Sequence, residues 1–347
     1  MFPGNTGFGM LQRSVNDFWR VYGYHHGSTV LRNHPEVFAI ESTNYCNLRC
    51  VMCPRGEPDI MERDLGNMSD ELFQKILGEI KFYSNPCWFH WFGEPLMHPR
   101  LFEQIEYARA QGVSSLGISS NATLLTPERS QAILDSGLNT VMFAIDGTSK
   151  EVYEKIRISS TFTFEEVCSN VKEFLSRRKQ LGTKKPHTIL SIIVMEETKS
   201  QIEAFKDEWK RYGADEVIAK PYVNWANQDD QFVDLAVSGS REELRQSARK
   251  FPCGYLWKSV VIAWDGRVLP CCYDYDATLP LGDLNSQTLQ EVWNGEKYQQ
   301  LRKNESGGCN TTALCRNCNQ APGTAINPLW PLPGPVTNLL KRFTSHS

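Results

Sequence analysis

Between residues 70 and 83 apolar side chains recur with helical spacing. Leu72, Phe73, Ile76, Leu77 and Ile80 share one face, and Ser69 stands where an N-cap is wanted. Upstream, Val37-Phe38-Ala39-Ile40 is a short apolar, β-prone run that predicts a buried strand over 37–42. The two periods then alternate along the chain. Strands are predicted at 88–92, 115–119, 140–145, 189–195 and 216–220. Helices are predicted at 99–111, from Thr126 with Pro127 in its first turn, and at 150–156, 164–181 and 201–212. Six strands joined by helical crossovers predict a parallel sheet, because parallel neighbours need connections of this length. After residue 223 the rhythm stops. A polar stretch, 224–250, leads to a β-prone run at 259–264, an Asp265-Gly266 turn and a return strand ending at Cys271-Cys272, which together read as a hairpin. A helix near 288–301 follows.

The pattern divides the chain into an N-terminal extension (1–36), a β/α unit (37–222), a linker (223–252), a small cysteine-rich unit (253–320) and a tail (321–347). At 347 residues, 41% hydrophobic and 22% charged, the chain can bury one large core plus a smaller module. A net charge of -3 without a long basic run gives no electrostatic reason to bind nucleic acid. No apolar run has transmembrane length and the N-terminus does not resemble a signal peptide, so a cytoplasmic protein is expected. Eleven cysteines are many for a reducing compartment unless metal uses them. Cys87 and Cys168 stand apart from the others and read as small buried hydrophobes.

The chemistry concentrates in Cys46, Cys50 and Cys53, a C-x3-C-x2-C set directly after the first strand. A closed zinc site or a fully ligated iron-sulfur cluster takes four protein ligands, so three leave one coordination position open. Strand followed by three-cysteine loop resembles the opening of radical S-adenosylmethionine (SAM) enzymes. In that family the loop holds a 4Fe-4S cluster, and SAM chelates the open iron through its amino and carboxylate groups.

The resemblance implies a partial (β/α)6 TIM-like barrel with functional residues at the C-terminal ends of its strands. There, Phe92-Gly93-Glu94-Pro95 is similar to the family's Gly-Gly-Glu motif with Phe92 in the first position, which implies that Gly93 and Glu94 meet the SAM amino group. Ser119 and Asn121 resemble the segment that approaches the ribose and methionyl parts. Asp146, followed by Arg157, implies an arginine against the SAM carboxylate. Met52 would cover one face of the adenine, and Ile193 or Val194 on the fifth strand the other. Read singly, Glu94 is also a plausible helix-start carboxylate, Asp146-Gly147 a turn, and Arg157 a surface charge. His90 and His98 flank the Gly-Glu motif and are expected to be structural.

Downstream, Cys253, Cys271, Cys315 and Cys318 resemble the ligand pattern of the SPASM and twitch modules appended to many radical SAM enzymes. The run needed for a second auxiliary cluster is missing, so one auxiliary 4Fe-4S cluster on these four residues is implied; the same residues could build a zinc knot. Neighbouring strand residues point to opposite faces, so Cys272 does not share the iron site of Cys271. Cys272 and Cys309 are left as a spare ligand, a buried thiol or a catalytic hydrogen-atom donor.

The resemblance as a whole implies reductive cleavage of SAM, fed by a low-potential donor such as flavodoxin or ferredoxin, and hydrogen abstraction from a small-molecule substrate. A sugar or aminocyclitol is favoured, with oxidation or epimerisation as the outcome. The alternatives are a radical maturase acting on a ribosomally made peptide, and a non-catalytic iron-sulfur or zinc-binding adaptor.

Overall fold

The computed structural model describes residues 7–57, 59–80, 87–113, 115–245, 252–307, 312–316 and 318–319. Cys309 and the tail 321–347 lie outside the described residues. The strands are β1 (Glu36–Ile40), β2 (Arg49–Cys50), β3 (Cys87–Trp88), β4 (Leu116–Ser120), β5 (Thr140–Ala144), β6 (Arg157–Ile158), β7 (His187–Val194), β8 (Glu216–Pro221), β9 (Ser259–Ile262), β10 (Arg267–Leu269) and β11 (Gly282–Asp283). The helices are α1 (Gly7–His25), α2 (Asp70–Ile80), α3 (Leu101–Ala110), α4 (Pro127–Ser136), α5 (Lys150–Ile156), α6 (Phe164–Gln180), α7 (Ile202–Arg211), α8 (Arg241–Arg245), α9 (Tyr255–Lys258), α10 (Leu289–Trp293), α11 (Glu296–Ser306) and α12 (Ala313–Arg316).

Strands β1, β3, β4, β5, β7 and β8 lie side by side and parallel, the six-stranded partial barrel expected from the alternation of strand and helix. Every second strand residue faces the surrounding helices. Ile118, Val141, Phe143, Leu190 and Ile192 are fully buried there against Phe73, Ile105, Ile133, Val171, Phe174 and Phe205. Burying each such side chain contributes about 1.5–3 kcal/mol relative to leaving it in water. The alternate residues face the lumen, and it is these that build the site. Cys87 and Cys168 are buried in the apolar core, as expected.

Three departures from the pattern have physical causes. The strand expected at 88–92 is shorter: β3 covers Cys87–Trp88, the Phe89 N–H still bonds the Gly117 carbonyl at 2.8 Å, and the chain then leaves the sheet for the turn at Gly93, φ +80, that brings Glu94 under the cysteine loop. The two-residue strands β2 and β6 form an antiparallel ribbon that joins the cysteine loop to the end of α5, a long-range pairing with no local signature. The hairpin of β9 and β10 extends the barrel sheet: β9 lies parallel to β1, with Val37 opposite Val260 and Ile40 opposite Ile262.

The seam between barrel and C-terminal hairpin is polar at its centre. Arg63, buried, donates to both carboxylate oxygens of Glu41 at 2.6 and 2.5 Å and to the carbonyl of Tyr275 at 2.8 Å. Glu41 in turn accepts from the backbone N–H of Trp264 at 3.2 Å. Removing one partner of so buried a pair costs about 3–5 kcal/mol, since the other charge is left unmatched.

Candidate active site

The three-cysteine loop begins where β1 ends. Its first turn closes by a Cys53 N–H to Cys50 carbonyl bond of 3.0 Å, and the following turn by Gly56 N–H to Cys53 carbonyl at 2.8 Å. The Gly-Glu motif is pressed directly beneath. A Cβ on Gly93 would stand 2.5 Å from the Thr43 carbonyl oxygen and 2.7 Å from that of Tyr45, so the left-handed turn and the close approach both require glycine. Glu94 N–H donates to the Tyr45 carbonyl at 2.7 Å and locks motif and loop together.

Glu94 is buried and held by three donors. One carboxylate oxygen accepts from Ser120 Oγ at 2.8 Å and Leu96 N–H at 3.1 Å, and the other from Asn121 N–H at 2.7 Å. A carboxylate has about four acceptor positions, so one remains on the oxygen facing Asn121. Burial raises the Glu94 pKa, opposed by these hydrogen bonds and by Arg157. The bond to Leu96 N–H also caps the short helical turn Pro95–Met97, so the helix-start role and the site role coexist in one side chain.

Arg157 is aimed by Asp146. Its Nε and one terminal nitrogen donate to a single Asp146 oxygen at 3.0 and 2.6 Å, and the second Asp146 oxygen accepts from the Ile193 N–H at 2.7 Å. The other terminal nitrogen lies 3.9 Å from Cys50 Sγ. Asp146 is fully buried, at φ +56, and stands behind Arg157 as its positioning residue. Asn121 Nδ2 lies 4.0 Å from Cys46 Sγ and donates to Asn47 at 3.0 Å.

The three thiols, Glu94 and Arg157 open onto one cavity of about 550 Å³. Cys46, Cys50, Cys53, Met52, Gly93, Glu94, Ser119, Asn121, Arg157 and Ile193 line it, and so does Cys272. Asp146 does not line it. The adjacent Cys271 turns the other way, into a small enclosed cavity shared with Cys253, Cys315 and Cys318. The return strand expected to end at Cys271-Cys272 stops at Leu269, so it is the turn after β10, rather than strand alternation, that divides the two thiols between two cavities. Cys272 is fixed by a hydrogen bond from Trp91 Nε1 to its carbonyl at 3.0 Å, and Arg63 lies 4.8 Å over the Trp91 ring.

Both cysteine sets suit iron. Among the described residues no three His, Cys, Asp or Glu side chains converge as they would around a single ion. Burial pushes the thiols of Cys46 and Cys50 up to about 12 and that of Cys53 to about 11. Cys253 is likewise raised to about 12, and Cys271 well above its ordinary value, in both cases first by burial. Thiols so raised stay protonated at neutral pH unless a bound metal group, iron cluster or zinc alike, replaces their protons.

Several lining residues have no motif to announce them. Trp225 lies in the stretch expected to be a linker, yet its Nε1 donates to the Met52 carbonyl at 2.8 Å and its ring closes on Phe92 at 5.3 Å. A tryptophan within a polar run was the available signal. His90, expected to be structural, lines the cavity with a buried Nδ1 that has no hydrogen-bond partner, and Lys220 lines it from β8. His98 lines no part of it and bonds the Met68 carbonyl at 3.2 Å.

Comparison with known proteins identifies the family of both units. Residues 40–208 match the radical SAM superfamily and residues 253–319 match SPASM, an iron-sulfur cluster-binding domain. A tungsten-containing aldehyde ferredoxin oxidoreductase cofactor-modifying protein of Pyrococcus furiosus is 27% identical over 76% of this chain and 82% of its own. Mycofactocin maturase of Mycobacterium tuberculosis is 28% identical over 80% and 74%. An S-adenosyl-L-methionine-dependent 2-deoxy-scyllo-inosamine dehydrogenase of Niallia circulans is 19% identical over 81% and 91%. Among solved structures, Streptococcus suis SuiB bound to precursor peptide SuiA superposes with a TM-score of 0.63 at 14% identity, over 91% of this chain and 75% of that one. No described helix is long and apolar enough to cross a membrane.

Proposed function

Because this chain belongs to the radical SAM superfamily and carries a C-terminal SPASM module, we propose that it cleaves SAM reductively beside Cys46, Cys50 and Cys53 and takes a hydrogen atom from a substrate in the same cavity. The observation that carries this reading is the shared lining: the three thiols, Glu94, Arg157 and Cys272 all face one space. When bound, the 4Fe-4S cluster and SAM supply the low-potential electron and a 5'-deoxyadenosyl radical.

The protein's own residues orient and enclose. Glu94, with one acceptor position left, takes an N–H of the SAM amino group, and Arg157, held by Asp146, faces its carboxylate. Met52 and Ile193 bracket the adenine, with Ser119 and Asn121 beside the methionyl and ribose parts. Trp91, Phe92 and Trp225 wall off water and stray hydrogen donors. Cys253, Cys271, Cys315 and Cys318 would hold one auxiliary 4Fe-4S cluster, which would supply an acceptor for the second electron in an oxidative reaction.

For the substrate, Phe38, Trp88, Trp91, Met142, Tyr222 and Tyr273 supply a mostly apolar wall, beside the polar groups of Glu94, Arg157, His90 and Lys220. Each hydroxyl of a cyclitol left without a partner against such a wall costs about 1–3 kcal/mol. The lining therefore favours a side chain of a ribosomally made peptide over a sugar or aminocyclitol, and similarity to mycofactocin maturase supports the same side. A cyclitol oxidation is the second reading, favoured by the single-cluster cysteine spacing and by similarity to the inosamine dehydrogenase.

The test offers the reduced enzyme and SAM two carbon-deuterated probes, the short precursor peptides encoded beside its gene and 2-deoxy-scyllo-inosamine. Deuterium is expected in 5'-deoxyadenosine from a peptide. Transfer from the inosamine alone would replace the first reading by the second.

A further inference from the structure

The cavity holds a cation that nothing so far has used. Lys220 projects into it from β8, and the polar atom recorded near its Nζ is the thioether sulfur of Met142 at 3.9 Å, a weak acceptor. No carboxylate forms an ion pair with Lys220 among the described residues. Among the described residues that line the cavity the one carboxylate is Glu94, which accepts from Ser120, Leu96 and Asn121 and keeps its remaining acceptor position for the SAM amino group.

His90 adds a second unmet group. Its buried Nδ1 has no partner, and burial together with the nearby Lys220 pushes its pKa down to about 3, so the ring is neutral and offers one N–H. Burial also lowers the Lys220 pKa, with Arg157 acting in the same sense and Asp146 against it.

Charge matching then points outward. SAM brings a carboxylate for Arg157 and an amino group for Glu94, and after those pairings Lys220 still lacks a counter-ion. We propose that Lys220, assisted by His90, is the recognition site for a carboxylate of the substrate. On the reading of the preceding subsection, on which this rests, that group is an acidic side chain or the C-terminal carboxylate of a peptide. The same lysine repels a substrate amine, which places a cationic aminocyclitol at a disadvantage.

The test uses three probes of one shape, benzoate, benzamide and benzylammonium, in equilibrium dialysis against the reconstituted enzyme with SAM bound. Benzoate should bind at least about tenfold more tightly than either of the others, the usual scale for a charge-assisted contact in a partly desolvated site. Lys220→Met should erase the preference without changing SAM affinity or circular dichroism, and Lys220→Arg should keep it. Equal binding of the probes, preference for benzylammonium, or no benzoate bound would overturn the proposal. So would loss of SAM affinity in Lys220→Met, which would assign the lysine to the cofactor. Because these measurements need no turnover, they are separable from failure of the radical reading, which would appear as absent SAM cleavage in the wild-type enzyme.

Discussion

Replacing Cys46, Cys50 and Cys53 together by Ala should remove about half of the iron of the reconstituted enzyme, from about eight to about four atoms per chain, and abolish SAM cleavage altogether. The two cysteine sets face separate cavities, so the auxiliary site should keep its iron when the first is lost. Iron assay and 5'-deoxyadenosine measurement on the same preparation check both halves. Zinc in place of iron at the C-terminal set would refute the auxiliary-cluster assignment, and retention of SAM cleavage would refute the assignment of the loop.

The adjacent pair Cys271 and Cys272 should respond oppositely. Cys271→Ala removes a thiol from the enclosed cavity and is expected to cost about four irons per chain. Cys272→Ala alters only the wall of the large cavity and should leave the iron content and SAM cleavage intact. The product then separates two outcomes. If the auxiliary cluster accepts the second electron, Cys272→Ala still forms an oxidised product, which is the expected result. If the Cys272 thiol returns a hydrogen atom, the variant forms none, and wild-type product made in heavy water carries solvent deuterium at carbon, because thiol hydrogens exchange with water. That pattern would replace oxidation by epimerisation.

Much of the barrel was legible because burial enforces period: each strand presents alternate residues to an apolar helix layer, and each helix one apolar face, so position in the sequence reports position in the fold. The cysteine loop, Gly93 and Glu94 were legible for a different reason, since open coordination and close backbone approach tolerate few residue types. What escaped depends on pairings distant in sequence. The ribbon of Arg49–Cys50 with Arg157–Ile158 is too short to leave a pattern. The bond from Asp146 to the Ile193 N–H, which makes Asp146 a support for Arg157, spans 47 residues. Trp225 reaches the site from the stretch after β8, through its bond to the Met52 carbonyl, and Lys220 is a residue of β8 that lines the cavity; neither a tryptophan in a polar run nor a lysine in a strand reveals such a place by itself.

The central claim is that the loop of Cys46, Cys50 and Cys53, with Glu94 and Arg157 beneath it, cleaves SAM reductively. The most direct measurement is quantification of 5'-deoxyadenosine by mass spectrometry after anaerobic incubation of the iron-loaded enzyme with SAM and dithionite. The expected result is 5'-deoxyadenosine and methionine in equal amounts, formed only with reductant and only when the three cysteines are present. A wild-type enzyme that carries its full iron, binds SAM and yields no 5'-deoxyadenosine would contradict it.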